Sequence, residues 1–219
     1  MRRLILTLTA VLLCSFSLNL PLLHAGEAGS ALTVAIGKDA PAVEFVVRAG
    51  KIAVYRQDKG HALLQEIPYG VPAYAKLAAS DLLSFEDMNF DGYMDVKIAS
   101  SVGRANRYDD CWLWDKASRK FVLHEELSQL ASTVFNPDKR TVYSYTHISA
   151  AESEEATYIW KNGRLSPIQR LERTYSHDGN RLIEREYRPD EQGELQLVRE
   201  QEVAPFTAAP LPESLTIEN

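Results

Sequence analysis

The sequence predicts an all-β protein, either an antiparallel sandwich or a small propeller-like meander, with one short helix. Three observations lead there. Short runs rich in β-branched and aromatic residues are separated by Gly, Pro, Asn and Asp. An Asp/Asn/Gly segment hangs between two such runs, and three connections in the C-terminal third carry Gly: Asn162-Gly163, Asp178-Gly179 and Gln192-Gly193.

Taken in order, residues 31–36, 43–47, 52–55 and 61–67 read as a first set of antiparallel strands. Residues 69–80, rich in Pro and Ala, read as a crossing loop. From Leu82 a strand leads into the acidic segment, and Met94, Val96 and Ile98 then share one face of the next strand. Residues 110–115 and 120–123 form the arms of a hairpin around Asp115-Lys116-Ala117-Ser118. Glu125, Glu126, Leu127 and Leu130 have helical spacing and supply the one helix. Strands return at 141–147, 156–160, 168–175, 182–187 and 195–202. Each of the three Gly turns is followed by Leu (Leu165, Leu182, Leu195), a pattern that fits propeller repeats but that a plain meander explains more simply.

The ends read differently. Arg2 and Arg3 precede an apolar run, and Leu23-His24-Ala25 ends in the small residue a signal peptidase requires, so residues 1–25 are expected to be a signal peptide with maturation near Gly26. Ser15, Ser17, Asn19 and Pro21 interrupt that run short of a membrane span. Leu13 before Cys14 does not favour lipid attachment. The expected organisation is a β-rich calcium-binding domain over 26–203, with 204–219 a flexible Pro-containing tail and the protein periplasmic.

The chain carries a formal charge of −6, and the leader removes two arginines and no acid. No basic stripe marks a nucleic-acid binder. An acidic surface suits solubility and a basic protein partner. Cleavage leaves Cys111 alone, so no internal disulfide forms; beside Trp112 it is expected to be buried and inert.

The chemistry lies in Asp87-Met88-Asn89-Phe90-Asp91-Gly92-Tyr93-Met94-Asp95. Oxygen-bearing residues occupy positions 1, 3, 5 and 9 of a calcium loop, with Gly at 6. A hard divalent cation needs six or seven oxygens, so alternate residues turn inward while the chain curls. The expected Ca2+ ligands are Asp87, Asn89, Asp91, the main-chain oxygen of Tyr93, and Asp95. Position 12, where a helix-loop-helix hand places Glu, is Ile98, and the flanks are strands, so this is no ordinary EF-hand. The bland alternative is a polar turn tied by its own Asp and Asn side chains.

The run from Asp87 to Leu123, with D-M-N-F-D-G-Y-M-D, then S-S-V-G-R-A-N-R-Y, then C-W-L-W-D-K-A-S-R-K-F-V, resembles a family of bacterial periplasmic immunity proteins that inhibit lysozyme-like effectors. The resemblance implies a β-rich fold related to inhibitors of invertebrate-type lysozyme, a calcium loop just before the inhibitory loop, and a Ser and a Tyr that enter a carboxylate-lined cleft. Matching positions fall within Ser100 to Tyr108, with Ser101, Gly103 and Tyr108 foremost, joined by Arg104 and Asn106. The distance from Ser101 to Tyr108 exceeds that of the compact inhibitor motif, which leaves open which Ser is used. Such a loop can hydrogen-bond catalytic Glu and Asp, with Arg104 or Arg107 pairing them, and a calcium ion would stiffen its base. The partner expected is therefore a lysozyme-like peptidoglycan hydrolase.

The five histidines lack the spacing of a zinc site, and no nucleophile elbow or phosphate loop is present, so binding rather than catalysis is expected. Trp112, Trp114 and Trp160 leave a calcium-dependent carbohydrate-binding module as the second reading, although Trp112 and Trp114 share a face and suit sheet packing. A cell-surface interaction module is the third.

Overall fold

The computed structural model describes residues 31–70, 78–103 and 105–204. The expected signal peptide, most of the crossing loop, Arg104 and nearly all of the expected tail lie outside the described residues. Among the described residues fourteen strands alternate with short turns in three antiparallel meanders, and no barrel closes.

The first meander orders β1 (Ala31–Ala35), β2 (Ala42–Arg48), β3 (Lys51–Arg56) and β4 (Ala62–Pro68). The second orders β5 (Leu83–Glu86), β6 (Asp95–Val102), β7 (Arg107–Asp115) and β8 (Lys120–Leu123). The third contains β9 (Val134–Asn136), β10 (Thr141–His147), β11 (Ser153–Lys161), β12 (Arg164–Tyr175), β13 (Leu182–Pro189) and β14 (Leu195–Val203). Helical turns α1 (Ala79–Leu82) and α2 (Glu125–Ser128) precede the second and third meanders. The expected single helix is α2; α1 adds a second turn where the sequence read as loop, because a single turn offers too few residues for a helical period to show.

Alternation along β6 and β7 explains the layering. Val96 and Ile98, with Trp112 and Trp114, face the first meander and pack with Phe45, Val54, Ile67 and Phe121. The opposite parity, Cys111 and Leu113, faces the third meander and packs with Met88, Leu127, Val142 and Leu165. The middle sheet is thus covered on both sides, as the run from Cys111 to Trp114, apolar on both faces, requires. Met94 does not continue the buried face of Val96 and Ile98; it precedes the strand and is exposed, because the acidic loop is still turning there.

Side-chain amides join the layers where main chains do not pair. Gln65 in β4 donates to the Phe121 carbonyl (2.8 Å) and accepts from the Phe121 N–H (2.9 Å), doing for β8 what a neighbouring strand would do. The three Gly turns all fall within the third meander, linking β11 to β12, β12 to β13 and β13 to β14, so their spacing comes from one meander of hairpins. Asn162 and Gly163 both hold positive φ (52° and 76°), as the tight hairpin turn demands.

Candidate functional site

The acidic loop leaves β5 at Glu86 and enters β6 at Asp95. Asp87 curls it: Oδ1 accepts the Asp91 N–H (3.0 Å) and Oδ2 the Gly92 N–H (2.8 Å). Asn89 Oδ1 also accepts from the Asp91 N–H (3.2 Å), and Asp91 Oδ1 from the Tyr93 N–H (3.0 Å). Gly92 at φ 91° and Phe90 at φ 60° complete the reversal. Phe90 is held in that unusual conformation by burial and by Arg140, which donates to its carbonyl (2.8 Å).

Asp95 is different in kind. It is fully buried, and its oxygens accept the Met88 and Trp114 N–H groups at 2.8 Å each. Burial pushes its carboxyl up to about 7, and the neighbouring charges of Asp91 and Asp87 push the same way, against those two hydrogen bonds.

Among the described residues no group of three or more His, Cys, Asp or Glu side chains is already gathered as a metal cluster. The donor set nevertheless fits a hard cation. Asp87, Asn89 and Asp91 offer oxygens from one curl, each carboxylate oxygen keeps a second lone pair, and the charges of Asp91 and Asp87 add to that of the buried Asp95. Asp87, Asn89 and Asp91 would hold the ion, with Asp95 behind them.

The loop is braced at its far side by contacts that the sequence could not reveal. The Tyr93 hydroxyl donates to Asp39, which also accepts from Lys116 at 2.9 Å, and Lys116 lies 5.2 Å from the Tyr93 ring centroid. These two hydrogen bonds hold the Asp39 carboxyl below its ordinary range. Gly37 permits the approach, since a Cβ there would stand 2.7 Å from the Tyr93 ring. The Trp160 indole N–H donates to the Met88 carbonyl (2.9 Å), tying the loop to the third meander as well.

The second group of expected residues forms the β6–β7 hairpin. Ser101 pairs directly with Tyr108, so both side chains project from one face, and Val102 pairs with Arg107 at the rim. The Gly103 N–H closes the turn on the Asn106 carbonyl (2.9 Å). Ser101, Val102 and Gly103 are exposed and Tyr108 is half-buried. Ser100 is the extra residue of a bulge between Ala99 and Ser101, which separates it from the Ser101–Tyr108 pair.

Three expectations change. The acidic loop does not stiffen the base of this hairpin: it meets β6 at Asp95, the hairpin turns after Val102, and an eight-residue strand keeps them roughly 20 Å apart. Asn106 is committed internally, its amide donating to the His147 carbonyl (2.9 Å) and accepting the His147 N–H (2.8 Å). Arg107 grips the buried Asp109 through Nε (2.9 Å), rather than standing ready for a partner's acids.

The tryptophans do not form a sugar platform. Trp114 is buried, Trp112 packs against the first core, and Trp160 is engaged with Met88 and edge-on to His124. Cys111 is buried as expected, and desolvation pushes its thiol up to about 12. Among the described residues no helix is long and apolar enough to cross a membrane.

No family model matches the chain, and no curated protein matches it. A solved structure does: the chain is similar to a Xanthomonas type IV secretion system related protein, at 19% identity and a TM-score of 0.50, over 77% of this chain and 87% of that one. At that identity the likeness establishes a shared β-rich fold.

Proposed function

We propose that this is an exported, periplasmic, calcium-binding protein that inhibits a lysozyme-like peptidoglycan hydrolase by presenting the β6–β7 hairpin to its active-site cleft, without catalysis of its own. The observation that carries the reading is the pairing of Ser101 with Tyr108 on one face of a hairpin whose tip is exposed. Two hydroxyls on adjacent strands are held in fixed register, so they can reach the two carboxylates of a glycosidase cleft with little entropy left to lose. The resemblance of the same segment to lysozyme-inhibiting immunity proteins supports it, and a fold shared with a protein related to a type IV secretion system is in keeping with an exported chain.

Of the two expected arginines, Arg107 is turned to Asp109, so the described part of the hairpin offers the hydroxyls of Ser101 and Tyr108 as its donors. The acidic loop stabilises the opposite end of the same sheet. Calcium held by Asp87, Asn89 and Asp91, with Asp95 behind, would relieve the mutual repulsion of these carboxylates and lock the junction of the second meander with the β1–β2 turn.

The test is inhibition of peptidoglycan lysis by chicken-type, goose-type and invertebrate-type lysozymes with the leaderless protein. At least one enzyme is expected to be inhibited, and Tyr108→Ala is expected to weaken that inhibition by about 2 kcal/mol or more, the loss typical of a buried interface anchor. Undiminished inhibition by that variant removes the hairpin from the mechanism, and no inhibition across the panel removes the function.

A further inference from the structure

The outer face of the third meander holds a cavity that plays no part in the hairpin. His147, Ser153 and Arg173 pair directly across β10, β11 and β12, so their side chains stand side by side on one face. Val142, of opposite parity in β10, belongs to the second core, which places the row on the face turned away from it. The β10–β11 turn borders this row, closed by the Ile148 and Ser149 N–H groups on the Glu152 carbonyl (2.9 and 3.1 Å). Turn and sheet together line a cavity of about 410 Å³, within the range of small-ligand sites, with Ala150, Ala151, Leu182 and Val203 as its apolar wall.

Its polar groups are not fully engaged. Ser153 is 6% exposed, and its hydroxyl has no hydrogen-bond partner among the described residues. The Tyr145 hydroxyl and the His147 ring line the same space and are likewise unbonded among the described residues. Arg173 is clamped by Glu184, which accepts from Nε (3.0 Å) and Nη2 (2.9 Å), so the guanidinium is fixed with Nη1 left over. In the turn, Glu152 accepts from Ser149 Oγ (2.9 Å) and the Tyr175 N–H (3.3 Å) but pairs with no cation among the described residues. A guanidinium and a carboxylate thus line one cavity without pairing with each other.

We infer that this cavity binds a small zwitterion of the α-amino-acid class, its carboxylate on Arg173 and Ser153, its ammonium on Glu152 and its aliphatic side chain against Leu182 and Val203. The charges choose the ligand. A simple anion would be repelled by Glu152 and a simple cation by Arg173, whereas a molecule carrying both signs answers each. The unbonded Ser153 hydroxyl sets a second donor beside the guanidinium, as the two oxygens of a carboxylate can use. None of these residues belongs to the β6–β7 hairpin, so the site stands or falls apart from inhibition of a hydrolase.

The experiment titrates L-alanine, L-valine and L-leucine separately, at millimolar concentration, into the leaderless protein and follows its amide chemical shifts. At least one is expected to give saturable shifts at Ser153, Arg173, Leu182 and Val203 while Ser101 and Tyr108 stay still. The N-acetyl and carboxamide derivatives of the same amino acid, each lacking one charge, are expected to bind at least about tenfold more weakly. Glu152→Gln keeps an acceptor for Ser149 and Tyr175 but not the charge, and is expected to raise the dissociation constant at least about tenfold. Ser153→Ala removes only the hydroxyl and is expected to raise it about fivefold. Unshifted resonances elsewhere in each variant check the fold. Saturable binding by none of the three amino acids overturns the site. Equally tight binding of either derivative, or of glucose as a neutral polyol, overturns the zwitterion. Binding unmoved in folded Glu152→Gln and Ser153→Ala proteins puts the ligand elsewhere and overturns the assignment. Binding seen only in a chain ended after Ala204 gives the cavity to residues 205–219 and overturns it as well.

Discussion

Asp95 and Trp114 are joined by a 2.8 Å hydrogen bond from the tryptophan main chain to a carboxylate that has no contact with solvent. The last β6–β7 pair is Val96 with Trp112, so this bond extends the ladder by a side chain where the main chain has already turned away. The other carboxylate oxygen does the same for Met88. Asp95→Ala is therefore expected to strand two buried N–H groups and to cost about 2–4 kcal/mol, given roughly 1–3 kcal/mol for each unsatisfied donor and some relief from removing a desolvated charge. Asp95→Asn keeps one acceptor and sets an amide NH2 against the other N–H, for an expected loss of about 1–2 kcal/mol. Urea unfolding at fixed slope measures both. An Asn variant as stable as the native chain would mean that the second bond contributes nothing.

Cys111 gives a pH dependence of known sign. Desolvation, with the Asp109 charge second, pushes the folded thiol up to about 12, above its unfolded value. Between those values the unfolded chain has released a proton that the native chain still holds. The stability this group contributes is complete below the unfolded pKa and is lost as pH rises toward about 12. Melting temperature measured between about pH 8 and 11 is expected to fall more steeply for the native chain than for Cys111→Ala, whose lower starting stability reflects the lost sulfur packing and the lost thiol bond to the Asp109 carbonyl. The folded protein is also expected to resist iodoacetamide at pH 8 and to react once unfolded. Equal slopes, or rapid alkylation of the folded chain, would contradict a desolvated thiol.

The strands were legible because their signals are local. Val43 to Val47 alternate in and out within one strand, and Asn162-Gly163 can hardly be anything but a hairpin turn. The curl of the acidic loop was legible for the same reason, since Asp87, Asn89 and Asp91 satisfy N–H groups no more than five residues away. What escaped was set by contacts across sheets. Asp39 and Lys116 reach Tyr93 from turns with no sequence mark of such a meeting, and Asn106 finds its partner 41 residues on. Adjacency in sequence misled about adjacency in space: Asp95 and Val102 are close along the chain, yet an extended strand carries them to opposite ends of the sheet. The strand Val134–Asn136 was missed because three residues are too few for alternation to show.

That separation makes the last prediction the most discriminating. Calcium, held at Asp87, Asn89 and Asp91 as proposed, would stabilise the folded state by mass action, by about 2.7 kcal/mol at a hundred times its dissociation constant. Added calcium is expected to raise the melting temperature and chelation to lower it, magnesium is expected to do less, and Asp87→Asn with Asp91→Asn is expected to abolish the response. The hairpin tip, however, lies roughly a strand's length away, about 20 Å, and is fixed by bonds from Asn106 to the His147 main chain of β10 and from the Ser132 N–H to the Arg107 carbonyl. Well below the melting transition, chelation is therefore expected to leave inhibition of the hydrolase within about twofold of its value with calcium, because the ion has no differential contact with free and docked hairpin. A melting curve indifferent to calcium would reduce the loop to a self-bonded turn. Inhibition that vanished with chelator while the fold remained intact would place the metal in the docking surface itself, against the geometry of β6.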